Sequence, residues 1–554
     1  CTATCESGWF AGVGRFTGPD PREMARSDLI VVWGGNPVAT QVNAMTHISR
    51  ARKERGAKLV VVDPYRTGTA QVADLHLAPR PGTDGALACA VMHIAFRDGY
   101  ADRAYMARFA DCPEALEAHL ATRTPEWANG ITGLPVAEIE AFAKLYGTTA
   151  RSYIRLGYGF SRSRNGAANM HTVTCLPTVT GAWQQEGGGA FWSNRDIYHF
   201  DKSLIEGLDA RDLTTREMDM SRISSVLTGD RRELGDGPPV HSMLIQNTNP
   251  AVVAPDTNRV RRGFLRDDLF VCVHEQFMTE TALLADIVLP ATMFMEHDDI
   301  YQAGGHGHIQ IGPKLIDPPG ECRSNHEVLQ GLASRLGARH TGFDMTPMEL
   351  IDSMLTSSGW PNARTVLEQR WIDAQPSFEE SHFLAGFGHS DRRFHFAPDW
   401  SQIGSDHARM PKLPDHFAII DESGPRHPFR LVTAPARQFL NSTFTETPGS
   451  RAREGRPTAL VHPEDAARLG ITDGGRLRLG NTRGEVVVNV RVADGMQPGV
   501  VIVESVWPNR DFEQGVGINA LTSDDPAPPF GGAVFHDTAV WMRAEEAALP
   551  IAAE

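Results

Sequence analysis

The first part of the chain alternates short apolar runs with longer amphipathic segments. The apolar runs of strand length are residues 28–33, 58–62 and 75–78. Residues 41–55 and 85–98 carry apolar positions at helical spacing, and Gly56 and Gly99 follow them as C-terminal caps. This alternation predicts a doubly wound, Rossmann-like α/β domain, in which ligands bind at the carboxyl ends of the parallel strands.

The same rhythm returns further along the chain. Residues 152–158 have the pattern of a strand and residues 167–183 that of a helix, and strand-like runs recur at 241–245, 269–273 and 283–289. A polar strand end follows two of these later runs, as in the first domain. The pattern therefore predicts a second doubly wound α/β domain.

Beyond residue 428 the pattern changes to short strands. The predicted strands are residues 429–433, 460–461, 476–480, 485–492 and 500–504. Asn481-Thr482-Arg483-Gly484 has the composition of a hairpin turn, and Pro463 opens a short helix. These features predict a separate β-barrel-like domain.

The pattern divides the chain into four regions. Residues 1–172 form the first α/β domain and residues 173–340 the second. Residues 341–425 are rich in Pro, Ser, His and Asp without a clear period, so we expect a long connection. Residues 426–554 form the barrel domain.

Composition narrows the function. A chain of 554 residues with a formal charge of -15 lacks the basic face that nucleic acid requires. No window approaches the about 20 apolar residues of a transmembrane helix. The seven scattered cysteines do not form a disulfide framework or an iron–sulfur spacing, which favours a reducing compartment such as the cytoplasm. Because the chain begins with Cys rather than Met, we expect it to start inside a longer gene product, and any export signal would lie upstream.

Polar residues follow three successive strands of the first domain. Gly34-Gly35-Asn36 comes after the first strand, Asp63 with Arg66 and Thr67 after the second, and Gly82 with Asp84 after the third. Glycine lets a backbone approach a phosphate or a flat ring, and Asp and Arg suit a ribose and a phosphate. Each loop alone is also compatible with a simple turn; together they favour a dinucleotide site.

These residues belong to a longer set of motifs that covers nearly the whole chain. The motifs are Gly34-Gly35-Asn36-Pro37, Val62-Asp63-Pro64-Tyr65-Arg66-Thr67-Gly68-Thr69-Ala70, Arg80-Pro81-Gly82-Thr83-Asp84, Gly157-Tyr158-Gly159 with Arg162, Gln246-Asn247-Thr248-Asn249-Pro250, His274-Glu275 with Thr279-Glu280-Thr281, Ala285-Asp286-Ile287-Val288-Leu289-Pro290, Asn441-Ser442 and Asn481-Thr482-Arg483-Gly484. The set resembles the molybdopterin oxidoreductase family, the dimethyl sulfoxide reductase superfamily.

The resemblance implies a cofactor and its binding residues. Two molybdopterin guanine dinucleotides are expected to hold one Mo or W, and the C-terminal domain is expected to be a six-stranded double-psi-type barrel covering the pterins. The residues expected to bind the cofactor are Gly34, Gly35, Asn36, Asp63, Arg66, Thr67, Gly82, Asp84, Gly159, Arg162, Gln246, Asn247, Asn249, His274, Thr279, Asp286, Asn441 and Asn519.

The resemblance also implies a protein ligand to the metal, upstream of the Gly-Gly-Asn loop. Cys1 lies 35 positions before Asn36 and Cys5 lies 31 before it, so the family spacing favours Cys1, with Cys5 in reserve. The alternative is that Cys1 is only a chain end and Cys5 a core thiol. A Cys ligand points toward the formate dehydrogenase and periplasmic nitrate reductase side of the superfamily.

Two positions depart from the formate dehydrogenase pattern. His171 stands where an Arg is expected, and Thr2 stands where a His is expected after the metal ligand. The resemblance therefore does not favour formate oxidation. His171 is a candidate proton donor or acceptor near the metal, although a histidine on a helix is more often structural.

The cysteine-rich [4Fe–4S] domain that usually begins family members has no counterpart here. We expect it in a missing N-terminal part; the alternative is that the domain is absent in nature. The missing part would also contain the first strands of the second sheet, whose apolar face is then expected to be uncovered. Electrons would leave through an iron–sulfur relay upstream or on a partner subunit. The expected activity is two-electron chemistry on a small substrate, by oxo or sulfido transfer or coupled to protons. The alternatives are a non-redox, hydratase-like Mo or W enzyme and a metal-free scaffold subunit. A nicotinamide dehydrogenase is disfavoured because no Gly-x-Gly-x-x-Gly opens a helix.

Overall fold

Five parallel strands form the first sheet. The computed structural model describes residues 2–418, 421 and 424–545. The strands are β1 (Leu29–Trp33), β2 (Lys58–Val62), β3 (Leu75–Leu77), β4 (Ser152–Leu156) and β5 (Gly189–Phe191), in the order β3-β2-β1-β4-β5. Every residue of β1 and β4 is buried, as expected for central strands of a sheet that is covered on both faces.

Helices cover this sheet and extend into the rest of the molecule. The longer α-helices are α1 (Thr2–Val13), α2 (Val42–Arg55), α3 (Asp84–Arg97), α4 (Arg103–Phe109), α5 (Pro113–Leu120), α6 (Pro125–Thr132), α7 (Val136–Gly147), α8 (Gly166–Val179), α9 (Thr257–Phe264), α10 (Asn325–Leu336), α11 (Pro347–Ser357), α12 (Ala363–Gln369), α13 (Pro448–Glu454) and α14 (Pro463–Leu469). Helix α3 packs against α6, α7 and α8, and α1 packs along α8.

The predicted boundary at residue 172 falls inside α8. Strand β5 pairs in parallel with β4, so residues up to 191 contribute to the first sheet. The strand is only three residues long and lies within a glycine-rich segment, which is why its pattern is weak in the sequence. The remaining domain boundaries stay predictions.

A second parallel sheet contains β6 (Ser242–Gln246), β7 (Phe270–Glu275) and β8 (Ile287–Pro290), in that order. Val271 and Val273 point to its buried face. Leu244, Phe270 and Ile287 are 40%, 46% and 46% exposed on the other face. Parallel sheets are normally covered on both faces, so this apolar surface is unusual for the part of the chain that the structure describes.

The described part of the segment 341–425 is structured. Helices α11 and α12 pack against an antiparallel sheet of β9 (Asp299–Tyr301), β10 (His308–Gly312) and β11 (Ile372–Asp373). Four phenylalanines from the same segment, Phe383, Phe387, Phe394 and Phe396, are buried in the core of the first sheet. The expected long connection therefore contributes a small helical layer and core residues. It shows no period because its apolar side chains fill gaps between other elements.

The C-terminal domain is a closed barrel of six strands, as predicted. They are β12 (Phe429–Val432), β13 (Thr458–Val461), β14 (Arg476–Gly480), β15 (Glu485–Val492), β16 (Val500–Val503) and β17 (Thr538–Glu545), in the closed order β12-β16-β13-β15-β14-β17. Strand β17 was not predicted from the sequence. Within the described ranges, no helix has the combined length and hydropathy of a bilayer-spanning segment.

The contact between α1 and α8 depends on a glycine. A Cβ atom on Gly8 would lie 2.3 Å from the carbonyl oxygen of Ala167 and 2.6 Å from Cβ of Met170, much closer than van der Waals contact. The absence of a side chain at Gly8 therefore lets α1 lie directly on α8. This contact sets the position of the start of α1, the segment that follows the candidate metal ligand.

Substitution of Gly8 tests this packing. We expect Gly8→Ala to lower the free energy of unfolding by about 1–3 kcal/mol, because the helices must move apart or distort. Gly130→Ala in α6 is the matched control: a Cβ there meets no atom within 4 Å, so the helix gains about 0.5–1 kcal/mol. Denaturant unfolding of both variants measures the difference. Equal stability of the two variants would contradict the close contact.

Candidate active site

The strand ends of the first sheet meet in glycine contacts. Gly34 has a φ of 61°, and its N–H donates to the carbonyl of Val62 over 2.8 Å. A Cβ atom on Gly157 would lie 2.2 Å from the carbonyl oxygen of Gly34. The loops after β1 and β4 therefore approach each other through backbone alone, and their peptide groups are brought to the same edge of the sheet.

The side chain of Asn36 holds the first loop. Its Oδ1 accepts from the N–H of Thr69 over 3.2 Å and from Oγ1 of Thr69 over 2.8 Å. Oγ1 of Thr69 in turn accepts from the N–H of Val38 over 3.2 Å. Asn36 thus ties the loop after β1 to the loop after β2.

The second sheet repeats this arrangement. Asn247, with a φ of 55°, follows β6 directly, as Gly34 follows β1. Oδ1 of Asn249 accepts from the N–H of Thr281 over 3.2 Å and from its Oγ1 over 2.7 Å. Oγ1 of Thr281 accepts from the N–H of Ala251 over 3.0 Å. The same three hydrogen bonds therefore join the loops after β6 and β7.

The repeat extends into the turns that follow. Oγ1 of Thr67 accepts from the N–H of Ala70, and Oγ1 of Thr279 accepts from the N–H of Ala282, each over 3.2 Å. These threonines stabilise equivalent turns, so their hydroxyls are used in hydrogen bonds within the loops. A ligand would contact the backbone of these loops.

The repeat also includes two aspartates, one in each sheet. A carboxylate oxygen of Asp74 accepts from the N–H of Leu59 over 2.9 Å, and one of Asp286 accepts from the N–H of Val271 over 2.7 Å. Asp286, a predicted cofactor-binding residue, therefore pairs with the start of β7. Its contact holds two neighbouring strands together.

Two predicted acids at the strand ends of the first sheet are buried. Nε1 of Trp33 donates to Asp84 over 2.8 Å. Burial raises the pKa of Asp84 to about 7. Burial, with smaller contributions from Asp84 and Glu504, also raises the pKa of Asp63. The predicted Arg66 is exposed after the same strand end.

Arg162 lies in a recess between the first sheet and the barrel. Its Nη1 donates to the carbonyl of Thr433 over 3.1 Å, and its guanidinium lies 4.8 Å from the centre of the Phe535 ring. Its Nε is buried without a hydrogen-bond partner among the described residues. Burial lowers the pKa of Arg162 to about 10, which leaves it charged at neutral pH. Gly159, also predicted, supplies a carbonyl to the same recess.

On the second sheet the predicted polar residues form a short relay. Nε2 of Gln246 lies 3.2 Å from Nδ1 of His274, and Nε2 of His274 lies 3.0 Å from the carbonyl oxygen of Arg323. His274 is fully buried. With a proton on Nε2, the ring donates to Arg323 and accepts from Gln246. This orients the carboxamide of Gln246 at the strand end.

Of the two barrel residues predicted to bind the cofactor, one is buried and one is exposed. Nδ2 of Asn519 donates to the carbonyls of Val252 and Val253 over 2.9 and 3.2 Å, so it anchors the barrel to the helical turn after Asn249. Asn441 is exposed in a turn at a φ of 52°. The predicted Gly82 lies in the turn that follows β3 of the first sheet, where its carbonyl accepts from Asn165.

Cys1, the candidate metal ligand, lies outside the described residues. Cys5, the reserve candidate, is fully buried one turn into α1, and its Sγ lies 2.8 Å from Oγ of Ser161. Burial raises the pKa of the Cys5 thiol to about 12. A metal-binding thiolate needs the opposite environment, so Cys5 has the properties of a core thiol.

His171 is placed in the contact between α1 and α8. Its ring stacks on Phe394 and meets Trp400 edge-on, and its Nε2 lies 2.8 Å from the carbonyl oxygen of His395. Burial lowers its pKa to about 4. The backbone of His171 lies beside Gly8. Gly8 is about 9 Å along the axis of α1 from Thr2, the first described residue. This environment favours a packing role, and its role in proton transfer stays a prediction.

Sequence reasoning missed two polar residues at the recess of Arg162, Thr433 and His536. It also missed Ser505, whose N–H donates to the carbonyl of the neighbouring Ala434. All three are buried, and the hydroxyl oxygens of Thr433 and Ser505 lack hydrogen-bond partners among the described residues. Each lies just outside a barrel strand, Thr433 and Ser505 after β12 and β16 and His536 before β17. A search for polar residues at barrel strand ends would have found them.

The residues present fit an anionic dinucleotide with a flat ring. The two sheets offer equivalent backbone loops, and the Arg162 guanidinium, which has no carboxylate partner among the described residues, suits an anion. Thr433, whose carbonyl accepts from Arg162, also has a buried hydroxyl without a hydrogen-bond partner among these residues.

The pKa of Asp84 gives a test of this geometry. An aspartate in the unfolded chain loses its proton near pH 4, whereas buried Asp84 keeps it until about pH 7. Rising pH between these values therefore favours the unfolded state, and the effect is complete above the folded pKa. We expect Asp84→Asn, which keeps the acceptor for Trp33, to gain stability relative to the parent over this range, by up to about 4 kcal/mol.

Urea unfolding at pH 4 to 8 measures this gain. Asp267→Asn, at an exposed position, is the control and should show no such pH trend. A stability difference between the Asp84→Asn variant and the parent that does not change with pH would contradict a buried, protonated carboxyl.

Known proteins share this architecture. The family described as "Molybdopterin oxidoreductase" matches residues 12–335, and "Molydopterin dinucleotide binding domain" matches residues 429–539. The probable oxidoreductase YoaE of Bacillus subtilis is 34% identical over 97% of this chain and 77% of its own length. Dimethyl sulfoxide reductase DmsA of Escherichia coli is 25% identical over 95% and 72%.

The solved structure of acetylene hydratase from Pelobacter acetylenicus matches with a TM-score of 0.76, at 18% identity, over 98% of this chain and 81% of that one. At this identity the likeness concerns the fold. The family match covers more than half of the chain and agrees with the repeated strand-end loops. The chain belongs to the molybdopterin oxidoreductase family and is a molybdopterin-dependent oxidoreductase.

Proposed function

We propose that the protein binds two molybdopterin guanine dinucleotides, which together hold one Mo or W. The observation that carries this proposal is the repeat of the Asn–Thr hydrogen bonds at Asn36 and Asn249. Two loops with the same construction serve two ligands of the same kind more simply than one. The metal supplies two-electron chemistry on a small substrate when the cofactor is bound.

Each sheet contributes its own set of residues. On the first, the backbone of Gly34 and Gly35, the buried acids Asp63 and Asp84 and the cation Arg66 would hold one dinucleotide. On the second, the backbone around Asn247, with Gln246 oriented by His274, would hold the other. The barrel would cover both through its contacts at Asn519, and Arg162 would neutralise an anionic part of the cofactor.

Cys1 is proposed as the protein ligand to the metal. A thiolate suits a soft, high-valent metal and stays deprotonated while it is coordinated. The buried, hydrogen-bonded state of Cys5 supports Cys1 over the reserve candidate. An iron–sulfur relay, in an upstream segment or on a partner subunit, would carry the electrons.

The uncovered face of the second sheet, with Leu244 and Phe270, is compatible with such an upstream segment. The chain would then be a part of a longer protein, which remains a proposal.

Two other functions use the same fold. In a hydratase-like enzyme the metal acts as a Lewis acid without net redox change. In a scaffold subunit the metal is absent. Turnover of an artificial redox dye separates the first alternative from redox catalysis, and metal analysis separates the second.

The ratio of guanine to metal tests the two-dinucleotide proposal. We expect two guanines per Mo or W in the holoenzyme. Asn36→Ala and Asn249→Ala should each lower the guanine content, because each variant loses the side chain that ties its loop. Asn43→Ala, at an exposed position of α2, should retain the parental content. One guanine per metal in the parent, or loss in only one of the two loop variants, would contradict the proposal.

Spectroscopy of cysteine variants tests the protein ligand. We expect Cys1→Ser to replace one metal–sulfur contact by oxygen in the X-ray absorption spectrum and to shift the Mo(V) or W(V) signal. Cys5→Ser, a near-isosteric change in a buried site, should leave both spectra unchanged. The reverse result would assign the ligand to Cys5.

A further inference from the structure

His536 has an unusual hydrogen-bond environment in the recess of Arg162. Its Nδ1 lies 2.8 Å from the carbonyl oxygen of Gly159, and its Nε2 lies 3.2 Å from the carbonyl oxygen of Thr433. The residue is 7% exposed, so water does not readily replace either partner. Both ring nitrogens therefore face groups that can only accept.

A neutral imidazole cannot satisfy both contacts. It carries one N–H and one lone pair, so one nitrogen would direct its lone pair at a carbonyl oxygen. The imidazolium has two N–H donors and matches the site fully. The backbone around His536 is thus arranged for the protonated ring.

The charges around the ring oppose protonation when no ligand is bound. Arg162 shares the Thr433 carbonyl with His536 and has no carboxylate partner. Arg430 approaches from β12, but Asp537 offsets it through a 3.0 Å ion pair. Arg164, on the same side, also pairs with Asp537 and with other acids. Among the described residues, the unbalanced charge that faces His536 is that of Arg162. Burial, together with this charge, lowers the pKa of His536 to about 3.

The same recess lacks an acceptor. Nε of Arg162 is buried without a partner, and the hydroxyl of Thr433, the residue whose carbonyl accepts from both Arg162 and His536, is buried and unbonded among the described residues. A cation and a hydroxyl donor are groups that bind an oxyanion. An anion here would complete the hydrogen bonds of Arg162 and offset its repulsion of a charged ring.

We propose that the recess between Arg162 and His536 is a proton-coupled oxyanion site, in which binding of the anion leads His536 to take up one proton from solvent. The identity of the natural anion rests on the proposed function: it is either the diphosphate of a bound dinucleotide or a free oxyanion substrate. The coupling itself depends only on the recess.

Titration calorimetry with sulfate tests the coupling on the cofactor-free full chain. Sulfate does not change its own protonation near neutral pH, so any proton taken up belongs to the protein. In two buffers of different ionisation enthalpy at pH 7, we expect uptake of about one proton per bound anion. The affinity should fall by up to about tenfold per pH unit, the limit for one coupled proton. Absence of saturable binding, or binding without proton uptake, would overturn the proposal.

Variants assign the proton and the charge. His536→Gln retains a donor but cannot titrate, so we expect anion binding without proton uptake and with a flat pH profile. Arg162→Met should weaken binding by about ten- to hundredfold, and Arg162→Lys should recover part of it.

His93→Gln, at a half-buried histidine with one carbonyl partner, is the control and should behave as the parent. Unchanged proton uptake in the His536→Gln variant would overturn the proposal. Thermal melts identify variants that fail to fold, and the parental titration remains decisive.

The cofactor-loaded enzyme distinguishes the two sources of the anion. If the diphosphate of the dinucleotide occupies the recess, sulfate should cause no proton uptake in the holoenzyme; if the natural ligand is a substrate oxyanion, the uptake should persist. Either result supports the site when the cofactor-free chain shows coupling. A guanine-free natural protein would refute the proposed function and leave the sulfate result of the cofactor-free chain valid.

Discussion

The architecture of the site depends on a hydrogen-bonded asparagine carboxamide that joins two strand-end loops in each sheet. Asn36 and Asn249 each accept two hydrogen bonds from one threonine, and that threonine accepts from a backbone N–H of the asparagine's own loop. At Asn249, which is buried, an amide oxygen that lost these donors would remain unsatisfied, at a cost of about 1–3 kcal/mol. The loops are therefore held in shape before any ligand binds, and their backbone groups are available at the edge of each sheet.

Electrostatics in the interior complement this frame. Arg430, which lies near the same recess, has an acid beside it in Asp537. Arg162 lacks such an acid and is held by a carbonyl and an aromatic ring. Asp63 and Asp84 are buried acids at the strand ends of the same sheet. The site therefore contains both a cation that suits a phosphate and carboxyls that suit a ribose or a base.

The sequence predicted the parts of this site that are local. An apolar run followed by Gly-Gly-Asn specifies a buried strand and a polar end, because both features depend on neighbours in the chain. It also indicated the closed barrel. It did not predict the role of the Asn36 side chain, which acts on Thr69 in another loop. Nor did it predict β17, or the phenylalanines of residues 383–396, whose burial depends on distant segments. His536 was missed for the same reason: its partners Gly159 and Thr433 are brought to it only by the packing of the barrel on the first sheet.

The central claim is that two equivalent loops, one on each sheet, hold two dinucleotides around one metal. A high-resolution structure of the cofactor-loaded protein tests this claim most directly. We expect one guanine beside the ends of β1 and β2, another beside the ends of β6 and β7, and two pterins between them at a single metal ion. Density for one dinucleotide only, or strand-end loops that face solvent away from the metal, would contradict the account.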